Sequence, residues 1–134
     1  VLFINDAEAK QLTEAQNVIR AAQMIRELGP EIVIIKKGEH GCLLFQQKNI
    51  FATPAFPLLD VNDPTGAGDS FAGGFMGYLA KCGDTDFGSL KKAVIHGSAV
   101  ASFTCEQFGP DRLATVTMAE IEERYKAFKN LITF

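Results

Sequence analysis

The 134-residue sequence predicts an α/β fold, a sheet flanked by helices. Three observations carry that prediction. Short β-branched runs alternate with helix-period segments, in the order strand, helix, strand, hairpin strands and then three helices. A glycine-bearing loop, Asn62-Asp63-Pro64-Thr65-Gly66-Ala67-Gly68-Asp69-Ser70-Phe71, runs directly into an apolar helix. Apolar residues make up 47% of the chain, enough to bury a core.

Val1 to Ile4 is an apolar run bounded by Asn5-Asp6 and suits a buried strand. Asn5 and Glu8 stand at the spacing of a capping box, so a helix opens there. Thr13-Glu14-Ala15-Gln16 has similar spacing and predicts the start of the next helix. Ala15, Val18, Ile19, Ala22, Ile25 and Leu28 form its buried face, and Gly29-Pro30 stops it. Glu31 to Lys36 reads as a strand buried on both faces. Lys37 to Gly41 is the turn into a strand beginning at Cys42, and His40 is a solvent-facing turn residue. Gln46 to Asn49 is a hairpin connection. Ile50–Thr53 and Leu58–Val61 bracket Pro54 and Pro57, which points to an edge or kinked strand.

The helix after the glycine loop, Phe71 to Ala80, carries Gly73, Gly74 and Gly77 and is expected to be buried nearly all round. Each internal glycine costs up to about 1 kcal/mol against alanine, so a close approach is expected. Ser89 to about Glu106 is a further helix, with Leu90, Ala93, Val94, Gly97 and Ala101 on its tight face, and Gly109-Pro110 ends that segment. Thr117-Met118-Ala119-Glu120 caps a last helix, with Ile121, Tyr125, Phe128 and Ile132 inward and Glu122, Glu123, Lys126 and Lys129 outward.

The loop at 62–71 holds the chemistry. Gly66 and Gly68 let backbone N–H groups approach a ligand, and the helix N-terminus behind them favours an anion such as phosphate. Asp69 places a carboxylate in the same spot, which makes sense if it takes a proton from a hydroxyl attacking the phosphate. No Gly-x-x-x-x-Gly-Lys-Ser/Thr run exists, so this is not a P-loop. A dinucleotide fingerprint also fails, because the sixth position from Gly66 is Phe71, which disfavours a nicotinamide-dependent dehydrogenase.

Asp63-Pro64-Thr65-Gly66-Ala67-Gly68-Asp69, with the following Ser70 to Phe75, resembles the Asp-Thr-x-Gly-Ala-Gly-Asp signature of the ribokinase-like sugar kinases, the PfkB carbohydrate kinase family. Pro64 replaces the usual small polar second residue. The resemblance implies a three-layer, Rossmann-like sheet flanked by helices. It implies that residues 1–134 are the C-terminal, nucleotide-binding portion of a single kinase domain, without the N-terminal substrate and lid part. On that reading this stretch alone is inactive.

The resemblance further implies transfer of phosphate from ATP, with magnesium, to a hydroxyl of a sugar or sugar-like substrate. Asp69 would be the base, and the N–H groups of Gly66, Ala67 and Gly68 would form the anion hole. Asn5 and Glu8 match an Asn-x-x-Glu motif that organises magnesium and phosphate through water; a helix cap accounts for the same two residues. Gly38 and Gly41, beside Lys37, match a glycine turn that lies by the nucleotide; a plain turn is the alternative. Gly97 and Ser98, beside His96, fall about where that family's helix faces the adenine; plain helix packing is the alternative. Some relatives hold a monovalent cation near the position of Asp63, and Pro64 weighs against it here.

Two other readings stay open: a nucleoside (adenosine-like) or vitamin-precursor kinase of the same fold, and a nucleotide-binding module without catalysis. The net charge of −3 and pI near 5.3 argue against a nucleic-acid partner. No apolar run is long enough to span a membrane. Cys42, Cys82 and Cys105 are odd in number and lack Cys-x-x-Cys spacing, which suits reduced thiols in the cytoplasm. The resemblance adds a homodimer formed through the lid.

Overall fold

A computed structural model describes residues 1–107 and 111–134. The chain divides into two compact units, Val1–Ala55 and Phe56–Phe134.

The first unit is a four-stranded mixed sheet in the order β1-β2-β3-β4. β1 (Leu2–Asn5) lies parallel to β2 (Ile32–Lys36). β2 is antiparallel to β3 (Cys42–Gln46), and β3 to β4 (Asn49–Thr53). Pairing on both sides puts β2 at the centre, and its β-branched residues Val33, Ile34 and Ile35 are fully buried. Each such side chain contributes about 1.5–3 kcal/mol of burial. Ala9, Ala21, Ala22, Ile25, Val33, Ile35 and Phe45 form one core cluster, joining the sheet to the helices α1 (Asp6–Thr13) and α2 (Val18–Glu27).

The entry to α2 differs from the sequence reading. Thr13 closes α1 rather than opening α2: its hydroxyl donates to Ala9 O at 2.8 Å, and Glu14 turns the chain with φ 56°. The true cap is Asn17, whose side chain accepts from Arg20 N at 2.9 Å. The helix therefore starts later, Ala21, Ala22 and Ile25 face the core, and Ile19 and Leu28 are exposed.

Lys37 to Gly41 forms one 3₁₀ turn, Gly38–His40, between β2 and β3. Gly38 and Gly41 both have positive φ, 58° and 84°. A Cβ on Gly41 would lie 1.9 Å from Thr53 O and 2.5 Å from Pro54 C, so only glycine fits against the end of β4. Gln47 takes φ 52° in the two-residue hairpin between Gln46 and Asn49, as such short loops require. β4 is an outer strand, but Leu58–Val61 forms no strand, and Leu59 and Val61 are exposed. Proline supplies no N–H for a ladder, which fits the break at Pro54 and Pro57.

The second unit is helical: α3 (Ala67–Cys82), α4 (Phe87–Glu106), α5 (Asp111–Thr115) and α6 (Met118–Ile132). α3 begins four residues earlier than the sequence suggests and ends at Gly83 in the left-handed region. It is not buried all round. Phe71, Phe75 and Leu79 are buried at four-residue spacing, whereas Met76 and Ala80 are exposed. Only Gly74 has the expected close approach: its added Cβ would sit 2.9 Å from Val100 Cγ2 and 3.1 Å from Gly97 Cα. Around Gly73 and Gly77 nothing comes within 4 Å.

α4 is capped by Asp86, whose carboxylate accepts from Ser89 N at 2.7 Å; that bond holds the acid below its usual range. The helix stop read at Gly109-Pro110 lies outside the described residues, and α5 has no counterpart in the sequence reading. Thr117 and Glu120 form the expected capping box of α6. Its inward face holds Phe128, fully buried, and also Arg124, which the sequence reading passed over. Arg124 lies 3.6 Å over the Phe103 ring and 5.2 Å from that of Phe56; it donates to Ser102 Oγ at 3.0 Å and pairs with Glu106 at 2.5 Å. Arg112 bridges Glu106 at 3.5 Å and Glu120 at 2.7 Å. The Arg112 guanidinium and the Thr117 N–H together hold the Glu120 carboxyl down to about 2.

Two predictions follow from these contacts. Gly41→Ala lowers unfolding stability by about 2–3 kcal/mol through strain and clash, whereas Gly38→Ala, in open space, loses about 1 kcal/mol. Equal losses in chemical denaturation would contradict this difference. The Glu120 carboxyl is held below its ordinary 4.5, so its stabilising contribution is present above that value and is lost as pH falls towards about 2. The melting-temperature gap between wild type and Glu120→Gln therefore closes across that window, and a constant gap would contradict the Arg112 pairing.

Candidate functional site

The loop before α3 is built by local bonds. Asp63 Oδ1 accepts from Thr65 N at 2.9 Å, an Asx turn that opens the loop. Ala67 N then donates to Pro64 O at 3.1 Å, closing a tight turn with Gly66 third. Gly66 has φ 82° and ψ −5°, the values of the third residue of a type II turn. A Cβ there would meet only Thr104 Cγ2, at 3.9 Å, so the backbone angle rather than space calls for glycine. Ser70 N donates to Gly66 O at 3.0 Å, the first helical bond.

Asp69 is therefore the third residue of α3 and is exposed. The N–H groups of the first turn lack partners within the helix and carry the positive end of its dipole. One expected donor is already engaged: the Ala67 N–H serves Pro64 O, which leaves the N–H groups of Gly66 and Gly68 from the predicted trio.

Three further contacts join this loop to the last turn of α4. Asn62 N donates to Cys105 O at 2.9 Å, and Asn62 Nδ2 donates to Glu106 O. The Thr104 hydroxyl donates to Ser70 Oγ at 2.7 Å. Gly97 packs on α3, where its added Cβ would fall 2.7 Å from Phe71 O and 3.1 Å from the Phe71 ring. That contact by itself accounts for glycine at 97. Ser98 is half-buried next to it, and both stand about 10 Å along α4 from Thr104, at 1.5 Å per residue.

In the first unit, Asn5 and Glu8 form a complete capping box. Asn5 Oδ1 accepts from Glu8 N at 2.7 Å, and Glu8 Oε2 accepts from Asn5 N at 3.1 Å. The cap uses Asn5 Oδ1 and Glu8 Oε2, so Glu8 Oε1 is the side-chain oxygen it leaves over and Asn5 Nδ2 remains as a donor. Lys37 N donates to Gly41 O at 2.7 Å across the 3₁₀ turn, so Lys37, Gly38 and Gly41 are held together. His40 is exposed beside Glu39. Among the described residues no cluster of three or more His, Cys, Asp or Glu side chains could hold a metal. A magnesium ion beside Asn5 and Glu8 would meet one carboxylate oxygen outside the cap and would have to keep most of its waters.

The remaining titratable groups look structural. Burial pushes the Cys42 thiol up to about 12 and raises that of Cys105, so neither is a nucleophile. His96 is stacked between Tyr78 and Tyr125, with centroids at 4.5 and 4.1 Å, and burial lowers its pKa, keeping the ring neutral. No helix among the described residues is long and apolar enough to cross a membrane. Sequence reasoning missed the contacts of Asn62 with Glu106 and of Thr104 with Ser70, which span 44 and 34 residues.

Comparison with known proteins gives a consistent picture. The model of the pfkB family carbohydrate kinases matches residues 1–116. A cytidine kinase of Thermococcus kodakarensis is 40% identical over 78 residues, 57% of this chain and 28% of the relative. An aminoimidazole riboside kinase of Salmonella typhimurium is 34% identical over 115 residues, 81% of this chain and 36% of the relative. The chain thus spans about a third of the length of these curated relatives. Among solved structures, aminoimidazole riboside kinase from Salmonella enterica, complexed with aminoimidazole riboside and an ATP analogue, superposes with a TM-score of 0.79 at 29% identity; the match covers 92% of this chain and 41% of that one.

Gly66→Ala should lower stability by about 1–2 kcal/mol, the penalty for a left-handed alanine, and Gly66→Asn by less. An alanine variant as stable as wild type in urea titration would contradict the turn described at Gly66.

Proposed function

Because the chain belongs to the pfkB family of carbohydrate kinases, we propose that it carries the phosphoryl-transfer machinery of a kinase acting on a sugar or nucleoside hydroxyl. The observation that carries this reading is the loop at the start of α3. Gly66 and Gly68 offer N–H groups at a helix N-terminus, and Asp69 stands one residue further on.

The acceptor hydroxyl gives its proton to Asp69 while its oxygen bonds to the γ-phosphorus of ATP. The bond between that phosphorus and the β–γ bridging oxygen breaks, and ADP leaves. Negative charge on the transferring group is met by the N–H groups of Gly66 and Gly68 and by the dipole of α3. Magnesium, when bound, would supply further charge neutralisation, and Asn5 and Glu8 would hold it through water. Of the turn at Lys37–Gly41, the Gly38 N–H would face the nucleotide, since Lys37 N, Lys37 O, Gly38 O, Gly41 N and Gly41 O are bonded within the turn. On α4 the adenine-facing role would fall to Ser98, because Gly97 is packed on Phe71. Three cysteines without a disulfide suit a cytoplasmic enzyme.

A nucleoside hydroxyl is the alternative acceptor. Relatives of both kinds match: the cytidine and aminoimidazole riboside kinases at 40% and 34% identity, and a probable fructokinase of Arabidopsis thaliana at 36%. Screening the complete protein for ATP consumption over nucleosides and free sugars separates the two.

Asp69→Asn should lower kcat by at least about a hundredfold, the lower range for a general base, with little change in ATP affinity. Turnover near wild type would remove Asp69 from the role of base.

A further inference from the structure

The second unit contains a device that the catalytic reading does not use. The loop from Asn62 to Ser70 is gripped at both ends by the last turn of α4, and Asp69 lies between the grips. At one end Asn62 donates twice, from N to Cys105 O at 2.9 Å and from Nδ2 to Glu106 O. These are last-turn carbonyls, which lack partners inside the helix, so Asn62 serves as a cap supplied from 44 residues away. At the other end the Thr104 hydroxyl donates to Ser70 Oγ at 2.7 Å, next to Asp69, and Thr104 Cγ2 faces Gly66. Thr104 is buried at 4% exposure, so its hydroxyl needs that partner.

The gripping turn is itself held. The Glu106 carboxylate pairs with Arg124 of α6 at 2.5 Å and with Arg112 of α5 at 3.5 Å. Arg124 is fixed by its stack on Phe103 and its bond to Ser102. An unbroken set of contacts therefore runs from α6 through Glu106 to Asn62 and the loop.

We infer that Asn62 and Thr104 are positioning residues, which set the loop and thereby Asp69 from the C-terminal turn of α4. The inference rests on the kinase reading for its effect on turnover, and on the contacts alone for its effect on the loop. Chemistry at a phosphorus is sensitive to such placement, since a displacement of about 1 Å can lower a rate about a hundredfold. ATP binding draws on several other groups and is less exposed to the change.

The test uses three variants of the complete protein. Asn62→Asp is isosteric and replaces the amide donor with a charged acceptor facing carbonyls. Thr104→Val keeps the methyl against Gly66 and deletes the hydroxyl. Thr104→Ser keeps the hydroxyl. Asn62→Asp and Thr104→Val should lower kcat by about tenfold or more, with the KM for ATP within about threefold, and Thr104→Ser should stay near wild type. Unchanged kcat in the first two, or an equal fall in Thr104→Ser, overturns the inference. Hydrogen exchange of a peptide spanning 62–71 gives a second, activity-independent reading. Exchange should quicken about tenfold in Asn62→Asp, and unchanged exchange overturns the inference. If the wild-type protein consumes no ATP with any acceptor while exchange responds as stated, the kinase reading fails and the positioning stands. Should Asp69→Asn abolish turnover while the Asn62 and Thr104 variants behave as wild type, the reverse holds.

Discussion

The second unit depends on the close approach of α3 and α4 at two glycines. Gly74 faces Gly97 Cα and Val100, and Gly97 faces the carbonyl and ring of Phe71; an added methyl at either position would fall at or below about 3 Å from its neighbours. Interiors packed at crystal-like density have no room to absorb such a group. The approach fixes the two helices over their length, with Phe71, Phe75 and Leu79 on one side and Leu90, Ala93, Val94 and Phe103 on the other buried. It brings the start of α3, where the anion-binding N–H groups lie, beside the end of α4, whose carbonyls need donors. The needs of the two helix ends are opposite, and Asn62 answers one of them.

The same arrangement explains why a chain with net charge −3 gathers arginines at the far end of α4. Glu106 sits at the negative end of that helix and would be disfavoured there alone. Arg112 and Arg124 neutralise it, and Arg124 also covers the Phe103 ring, where a guanidinium packs better than an ammonium would. Glu120, bonded by Arg112 and by the Thr117 backbone, closes the cluster onto the cap of α6. The short helix α5 thus ties the end of α4 to the beginning of α6.

What the sequence revealed follows the range of the interactions. The capping boxes of Asn5–Glu8 and Thr117–Glu120 were readable because both partners lie within three residues. The glycine loop and the buried β2 were readable for the same reason: a local run of residue types specifies each. Thr13 misled because its spacing imitates a cap, whereas the left-handed Glu14 and the Asn17 side chain, which accepts from Arg20 N, decided the boundary. The one-sided burial of α3 and the roles of Asn62, Thr104 and Arg124 were invisible because they depend on partners 18 to 68 residues distant. The Ala67 N–H shows the limit at the site itself. The motif suggested three donors, but the turn that presents them uses one.

The central claim is that the N–H groups of Gly66 and Gly68 receive the nucleotide's phosphate. It is tested most directly by labelling the glycines of the complete protein with ¹⁵N and adding a non-hydrolysable ATP analogue with magnesium. The account predicts that the amide signals of Gly66 and Gly68 shift on saturation, while that of Gly83, at the opposite end of α3, stays in place. Nucleotide that binds by calorimetry yet leaves both signals unmoved would contradict it.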